Sequence, residues 1–155
     1  MSEKAPPTPS QTVGPFFGFA LPFEGDSNAT ASESADTIRI EGQLFDGAGD
    51  PVPDGLLEAW SGRQLARCRT DPEGAFHFVL QRPEAAHLEL TVFARGLLRQ
   101  LVTRIYMPDR VEADDPVLAL VPEERRSTLV ARGDGELLHF DVHLQGDEET
   151  VFFAL

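Results

Sequence analysis

Turn signals cut this chain into short pieces, and their spacing is what most restricts its fold. Asp46-Gly47, Gly49-Asp50-Pro51, Asp71-Pro72-Glu73-Gly74 and Gly133-Asp134-Gly135 recur along it. Each reverses direction readily, because glycine accepts backbone angles that other residues resist and proline pre-sets its own. Twelve prolines and thirteen glycines leave little room for long helices. Between the turns, apolar residues alternate with polar ones. Ile38, Ile40 and Leu44 do so from Thr37 to Asp46. Further strands are predicted over Leu56 to Trp60, Leu65 to Thr70, Ala75 to Leu80, residues 86–95 and Arg99 to Met107. Pro116 to Glu124 breaks the rhythm and is predicted to hold one or two helical turns. Ser127 to Arg132 and Leu137 to Gln145 are predicted as strands joined across Gly133-Asp134-Gly135. The expected fold is all-β, an antiparallel β-sandwich or barrel.

The run from Ala86 to Arg95 carries two different faces. Leu88, Leu90 and Val92 are predicted to enter the core. His87, Glu89, Thr91, Phe93 and Arg95 fall on the opposite side, so a histidine, a carboxylate and a cation project together. That face meets solvent, a partner or a substrate.

Residues 1–36 read as an N-terminal arm and polar linker ahead of a sandwich domain over 37–155. The arm is rich in proline yet carries Phe16, Phe17, Phe19 and Phe23. A free tail has no use for four phenylalanines, so the arm is expected to lie against a sheet or another subunit. Residues 24–36 are small and polar and read as a mobile linker. The formal charge of −13 opposes nucleic acid and anionic membranes as partners. No apolar run is long enough to span a bilayer, and the first residues lack the apolar stretch of a signal peptide. The single cysteine, Cys68, suits a reducing compartment, and a cytoplasmic location is expected.

His139, Asp141 and His143 alternate on one predicted strand, either as a metal-binding trio or as an ordinary solvated face. Alternate strand positions stand ~6.5–7 Å apart, wide for two ligands of one ion. His77 lies between two phenylalanines and reads as structural. Two arginines flank Cys68 and favour a thiolate, yet no motif makes it a nucleophile. The glycine-rich stretches have no Walker lysine and no following helix, so they are not phosphate loops.

Thr8-Pro9-Ser10-Gln11-Thr12-Val13-Gly14-Pro15-Phe16-Phe17 is distinctive. So are Gly42-Gln43-Leu44-Phe45-Asp46-Gly47, Leu57-Glu58-Ala59-Trp60, Phe93-Ala94-Arg95-Gly96 and Gly146 to Phe153. In this order they resemble the alpha subunits of the protocatechuate 3,4-dioxygenases, within the intradiol ring-cleaving dioxygenase family. The resemblance implies a β-sandwich with an extended N-terminal arm and a separately encoded beta subunit. It also implies a small aromatic substrate, cleaved with O2 to 3-carboxy-cis,cis-muconate, and non-haem ferric iron.

Catalytic subunits of that family hold iron with two tyrosines and two histidines, the latter on an Ala-His-Ile-His-type strand. The matching stretch here is Ala86-His87-Leu88-Glu89, so a glutamate replaces the second histidine. The stretch that usually carries the first tyrosine is reduced to Ser61-Gly62-Arg63-Gln64, and the one tyrosine, Tyr106, matches no ligand position. The resemblance therefore implies Fe(III) on the beta subunit, with no metal ligand and no catalytic residue in this chain. What it carries over is a share of the substrate pocket: Thr12, Gly14, Pro15, Phe16 and Arg95. Thr12 offers a hydroxyl, Gly14-Pro15 a close backbone wall, and Phe16 a ring without the hydroxyl common at that position. Arg95 suits a substrate carboxylate, the competing role being a structural ion pair at the subunit interface. The competing reading is a non-catalytic β-sandwich interaction module that takes no part in ring cleavage.

Overall fold

The structure is a computed structural model that describes residues 9–14, 16–30, 36–111 and 115–154. Its strands are β1 (Thr37–Phe45), β2 (Leu56–Ser61), β3 (Gln64–Arg69), β4 (Ala75–Gln81), β5 (His87–Phe93), β6 (Leu101–Tyr106), β7 (Arg132–Asp134), β8 (Leu137–His139) and β9 (Val142–His143). One sheet runs β4-β1-β8-β7, with β9 also on β1, and the other runs β3-β2-β5-β6. Among the described residues, no helix is long and apolar enough to cross a membrane.

The alternating pattern sets the core. Ile38, Ile40 and Leu44 of β1 face Leu57 and Ala59 of β2 and Leu88, Leu90 and Val92 of β5, all essentially inaccessible to water. Each of the isoleucine, leucine and valine side chains contributes roughly 1.5–3 kcal/mol on burial, so this interior is the main stabilising layer. A second cluster of Tyr106, Leu118, Val121 and Leu129 closes one end.

Tight turns join the antiparallel pairs. Gly62-Arg63 is a two-residue hairpin between β2 and β3, with Gly62 at φ +58°. That is the positive-φ geometry such hairpins need. β1 departs from the all-antiparallel expectation, because β8 and β9 pair with it in parallel. Leu137 to His143 keeps one register along β1, but the ladder lapses at Phe140-Asp141. There Asp141 Oδ1 accepts the Gln43 N–H at 3.0 Å in place of a backbone carbonyl.

The strand predicted over Ser127 to Arg132 is instead the end of a 3-10 segment, Glu123–Leu129, followed by β7. Local bonds explain the difference: the Thr128 hydroxyl donates to Arg125 O at 2.8 Å, and Arg126 Nε donates to Val121 O at 3.0 Å. Such side-chain bonds offer the backbone an alternative to a sheet ladder.

The predicted mobile linker is partly tied down. Asp26 O accepts the Arg67 N–H at 2.7 Å, while Ser27 and Ala29 exchange two 2.8 Å backbone bonds with Val79. Asp26 to Ala29 thus joins the edge strands of both sheets, β3 and β4, and satisfies groups that would otherwise be open. Residues 31–35 of that stretch lie outside the described residues.

Candidate functional site

The polar side of β5 opens onto a cleft of about 940 Å³, lined by His87, Glu89, Trp60, Ser61 to Gln64 and Gln81 to Ala85. Pairing fixes its floor: Glu89 stands between Trp60 on β2 and Arg104 on β6, and His87 stands opposite Tyr106. Of these, His87 and Glu89 are the positions where the family resemblance puts the two histidine ligands of iron.

Tyr106 is 0% exposed. Its hydroxyl donates to Asp115 Oδ1 at 3.1 Å and accepts from Arg104 Nη1 at 3.3 Å. Burial raises its pKa; the Asp115 bond adds to the rise and Arg104 opposes it. The phenol therefore stays protonated at neutral pH. Its ring packs on His87 at 5.1 Å between centroids. Burial, and then the Arg104 cation, lower the His87 pKa. The Ser61–Gln64 stretch is the two-residue hairpin turn itself. Among the described residues, no three of histidine, cysteine, aspartate and glutamate converge on a metal-holding position. These side chains do not fit a ferric site that needs two tyrosinates.

The other constellations resolve into structural work. Asp141 spends Oδ1 on the Gln43 N–H and on His139 Nε2 at 3.0 Å, and Oδ2 on Arg132 at 2.5 Å. His143 stacks on Phe45 with centroids 5.0 Å apart. His77 Nε2 meets Ser27 Oγ at 3.1 Å and so helps hold the strap between the sheets. Burial raises the Cys68 pKa, which disfavours a reactive thiolate.

The arm residues lie elsewhere. Gln11 and Val13 flank a cavity of about 180 Å³ whose other walls include Phe93, Ala94, Leu97 and Leu98. Thr12, exposed between them, thus sits beside the turn that carries Arg95. Gly14 has φ +71°, and Pro15 lies outside the described residues. Phe16 is 77% exposed at the start of the short helix α1 (Phe17–Ala20), whereas Phe17 is buried. Arg69 and Arg67 hold this stretch to β3 through Gly18 O at 3.5 Å and Leu21 O at 3.0 Å. Arg67 also clamps Glu58 at 2.6 Å.

Arg95 does not extend β5 as the alternation suggests. The strand stops at Phe93, and Arg95 enters a turn with Gly96 at φ +88°. Its side chain is 62% exposed, and its Nε pairs with Asp54 Oδ2. Sequence reasoning missed Asp54, whose nearness to Arg95 shows only once β2 and β5 are paired.

Against known proteins, the chain is 37% identical to the protocatechuate 3,4-dioxygenase alpha chain of Burkholderia cepacia, covering 94% of this chain and 96% of that one. That alignment spans 189 positions, more than the 155 residues here, so this chain skips segments the relative carries. The protocatechuate 3,4-dioxygenase beta chain of the same organism is 28% identical, covering 73% of this chain and 66% of that one. Among solved structures, the dioxygenase domain of a dioxygenase–carbohydrate-binding fusion from Streptomyces sp. SirexAA-E superposes with a TM-score of 0.58 at 22% identity. It covers 91% of this chain and 99% of the other. This last likeness speaks for the fold. No protein-family model matches the sequence.

Proposed function

Because this chain belongs to the family of protocatechuate 3,4-dioxygenase alpha chains, we propose that it serves as the alpha subunit of such an enzyme, assembled with an iron-bearing beta subunit. The assembly cleaves protocatechuate with O2 between its hydroxyl-bearing carbons, giving 3-carboxy-cis,cis-muconate. Non-haem Fe(III) sits on the beta chain and supplies the oxidative chemistry there. This chain contributes a wall of the substrate pocket from its arm and from the Arg95 turn.

The observation that carries the reading is the contrast between the two halves of the polar surface. Where ligands belong, the chain offers Glu89 and a two-residue turn, and its one tyrosine, outside any ligand position, is held protonated by burial. Where the pocket wall belongs, it presents the arm beside an exposed cation. Thr12 would hydrogen-bond substrate or partner, Gly14-Pro15 would bring backbone close, and Phe16 would pack without a hydroxyl. Arg95 would receive the substrate carboxylate, a charge-assisted contact that its planar guanidinium can make with two parallel bonds. That carboxylate is remote from the reacting bond, so the contact is equal in ground and transition states and acts on KM. The rival reading, an interaction module outside ring cleavage, is not favoured by the likeness to whole alpha chains. A cytoplasmic location fits the free cysteine.

The test is co-expression with an iron-bearing protocatechuate 3,4-dioxygenase beta chain. Co-purification, with oxygen uptake on protocatechuate that neither chain alone supports, is the expected result. A beta chain that turns over fully without this chain would favour the interaction module.

A further inference from the structure

From the end of the β2–β5 ladder we infer that Asp54 is a positioning residue for Arg95, setting the direction in which its guanidinium is offered to a carboxylate. The inference rests on the substrate role proposed for Arg95. Three observations carry it.

The first is register. Antiparallel pairs run Trp60↔Glu89, Glu58↔Thr91 and Leu56↔Phe93. The same count carried two residues past the last pair reaches Asp54 and Arg95, where the chain has already left strand geometry and turned at Gly96. The ladder has ended there, yet the side chains still meet: Arg95 Nε donates to Asp54 Oδ2.

The second is which edge of the cation is used. Asp54 takes the Nε side of the guanidinium. Among the described residues, the terminal nitrogens Nη1 and Nη2 have no partner. That end is the fork that engages a carboxylate with two parallel bonds. A partner on the Nε side turns the fork outward instead of competing for it.

The third is that Asp54 is itself held. The buried Thr70 hydroxyl donates to Val52 O at 2.7 Å and accepts the Gly55 N–H at 2.8 Å, bracketing Asp54 on both sides. Thr70 N–H returns a 3.0 Å bond to Gly55 O. Gly55 is packed so closely that a Cβ there would lie 2.4 Å from Leu44 Cδ2. Asp54 is thus the fixed member of the pair, 23% exposed against 62% for Arg95.

An exposed ion pair contributes little to stability, so the effect belongs in substrate binding. The experiment is steady-state kinetics of Asp54→Asn, Asp54→Ala, Arg95→Ala and Asp54→Ala/Arg95→Ala in complex with the beta chain, on protocatechuate and on catechol, which lacks the carboxylate. Both Asp54 variants are expected to raise KM for protocatechuate about two- to ten-fold, with kcat and the catechol KM nearly unchanged. Asp54→Ala should add nothing once Arg95 is gone, because the two act as one unit. If Arg95→Ala raises the protocatechuate KM while neither Asp54 variant does, the positioning role is wrong and the substrate role of Arg95 stands. If Arg95→Ala leaves that KM unchanged, the substrate role falls and this inference with it. Equal losses on both substrates by Asp54→Asn would make Asp54 structural and overturn the inference.

Discussion

The carbonyl oxygen of Phe140 lies 1.8 Å from where a Cβ on Gly42 would sit. No side chain fits in that space, so the C-terminal strand can lie on β1 only because residue 42 is glycine. The close approach coincides with the lapse in the β1–β8–β9 ladder, where Phe140 N–H donates to Glu41 O at 2.9 Å and Asp141 takes over the next bond.

Gly42→Ala should therefore be costly. The neighbouring atoms are backbone and cannot rotate away, so the strand must shift. The expected loss is about 2–4 kcal/mol, or roughly 5–15 °C in Tm for a chain of this size. Thermal and urea denaturation of the variant checks this. Gly49→Ala is the control, because nothing lies within 4 Å of its Cβ position, although its φ of +83° adds local strain. A Gly42→Ala protein as stable as the control would contradict the crossing.

Much of this fold is legible in the sequence because its signals are local. The alternation of Ile38, Ile40 and Leu44, and of Leu88, Leu90 and Val92, marks the core sides of β1 and β5, and Asp71-Pro72-Glu73-Gly74 marks a turn. What the sequence conceals depends on distant partners. Asp26 to Ala29 looks like a linker because its bonds run to Arg67 and Val79, which are unknowable before the sheets form. Ser127 to Leu129 has apolar and β-branched residues, yet a Thr128 hydroxyl bond only three residues away holds it in a 3-10 turn. At the site, the mismatch to a two-tyrosinate iron site is readable from Glu89 and the single tyrosine, whereas Asp54 becomes visible only once β2 and β5 are paired. Arg95 shows the limit of counting by two, since a strand's periodicity lapses where its ladder ends.

Acid should weaken the fold through two histidines. Burial is the larger cause of the lowered pKa of both His77 and His87, reinforced by Arg39 and Arg104 respectively, with Glu41 opposing at His77 and Asp115 and Glu89 opposing at His87. The unfolded chain therefore takes up protons more readily than the folded one between those lowered values and the ordinary 6.5. Their contribution is fully present above pH 6.5 and is lost as pH falls through the folded-state values. Urea denaturation across this range should show stability falling with acid, with a shallower slope in His87→Gln. An identical slope in the variant would show that His87 does not contribute to the acid sensitivity.

The arm leaves Phe16 and Phe23 mostly in water, 77% and 72% exposed, which suits a surface awaiting a partner. A Phe16→Ser/Phe23→Ser variant should keep the stability of the isolated chain within about 0.5 kcal/mol per substitution. Its affinity for the beta chain should fall about ten-fold or more, as when buried aromatic anchors are removed. Titration of the labelled beta chain reads this directly, and unchanged affinity would place the arm away from the interface.

The most direct test is iron stoichiometry with visible absorption, on this chain purified alone and on its complex with the beta chain. No stoichiometric ferric iron and no tyrosinate charge-transfer band are expected for the chain alone, with both present in the complex. One iron per isolated chain, accompanied by that band, would contradict this, because a single tyrosine held protonated by burial cannot provide such a site.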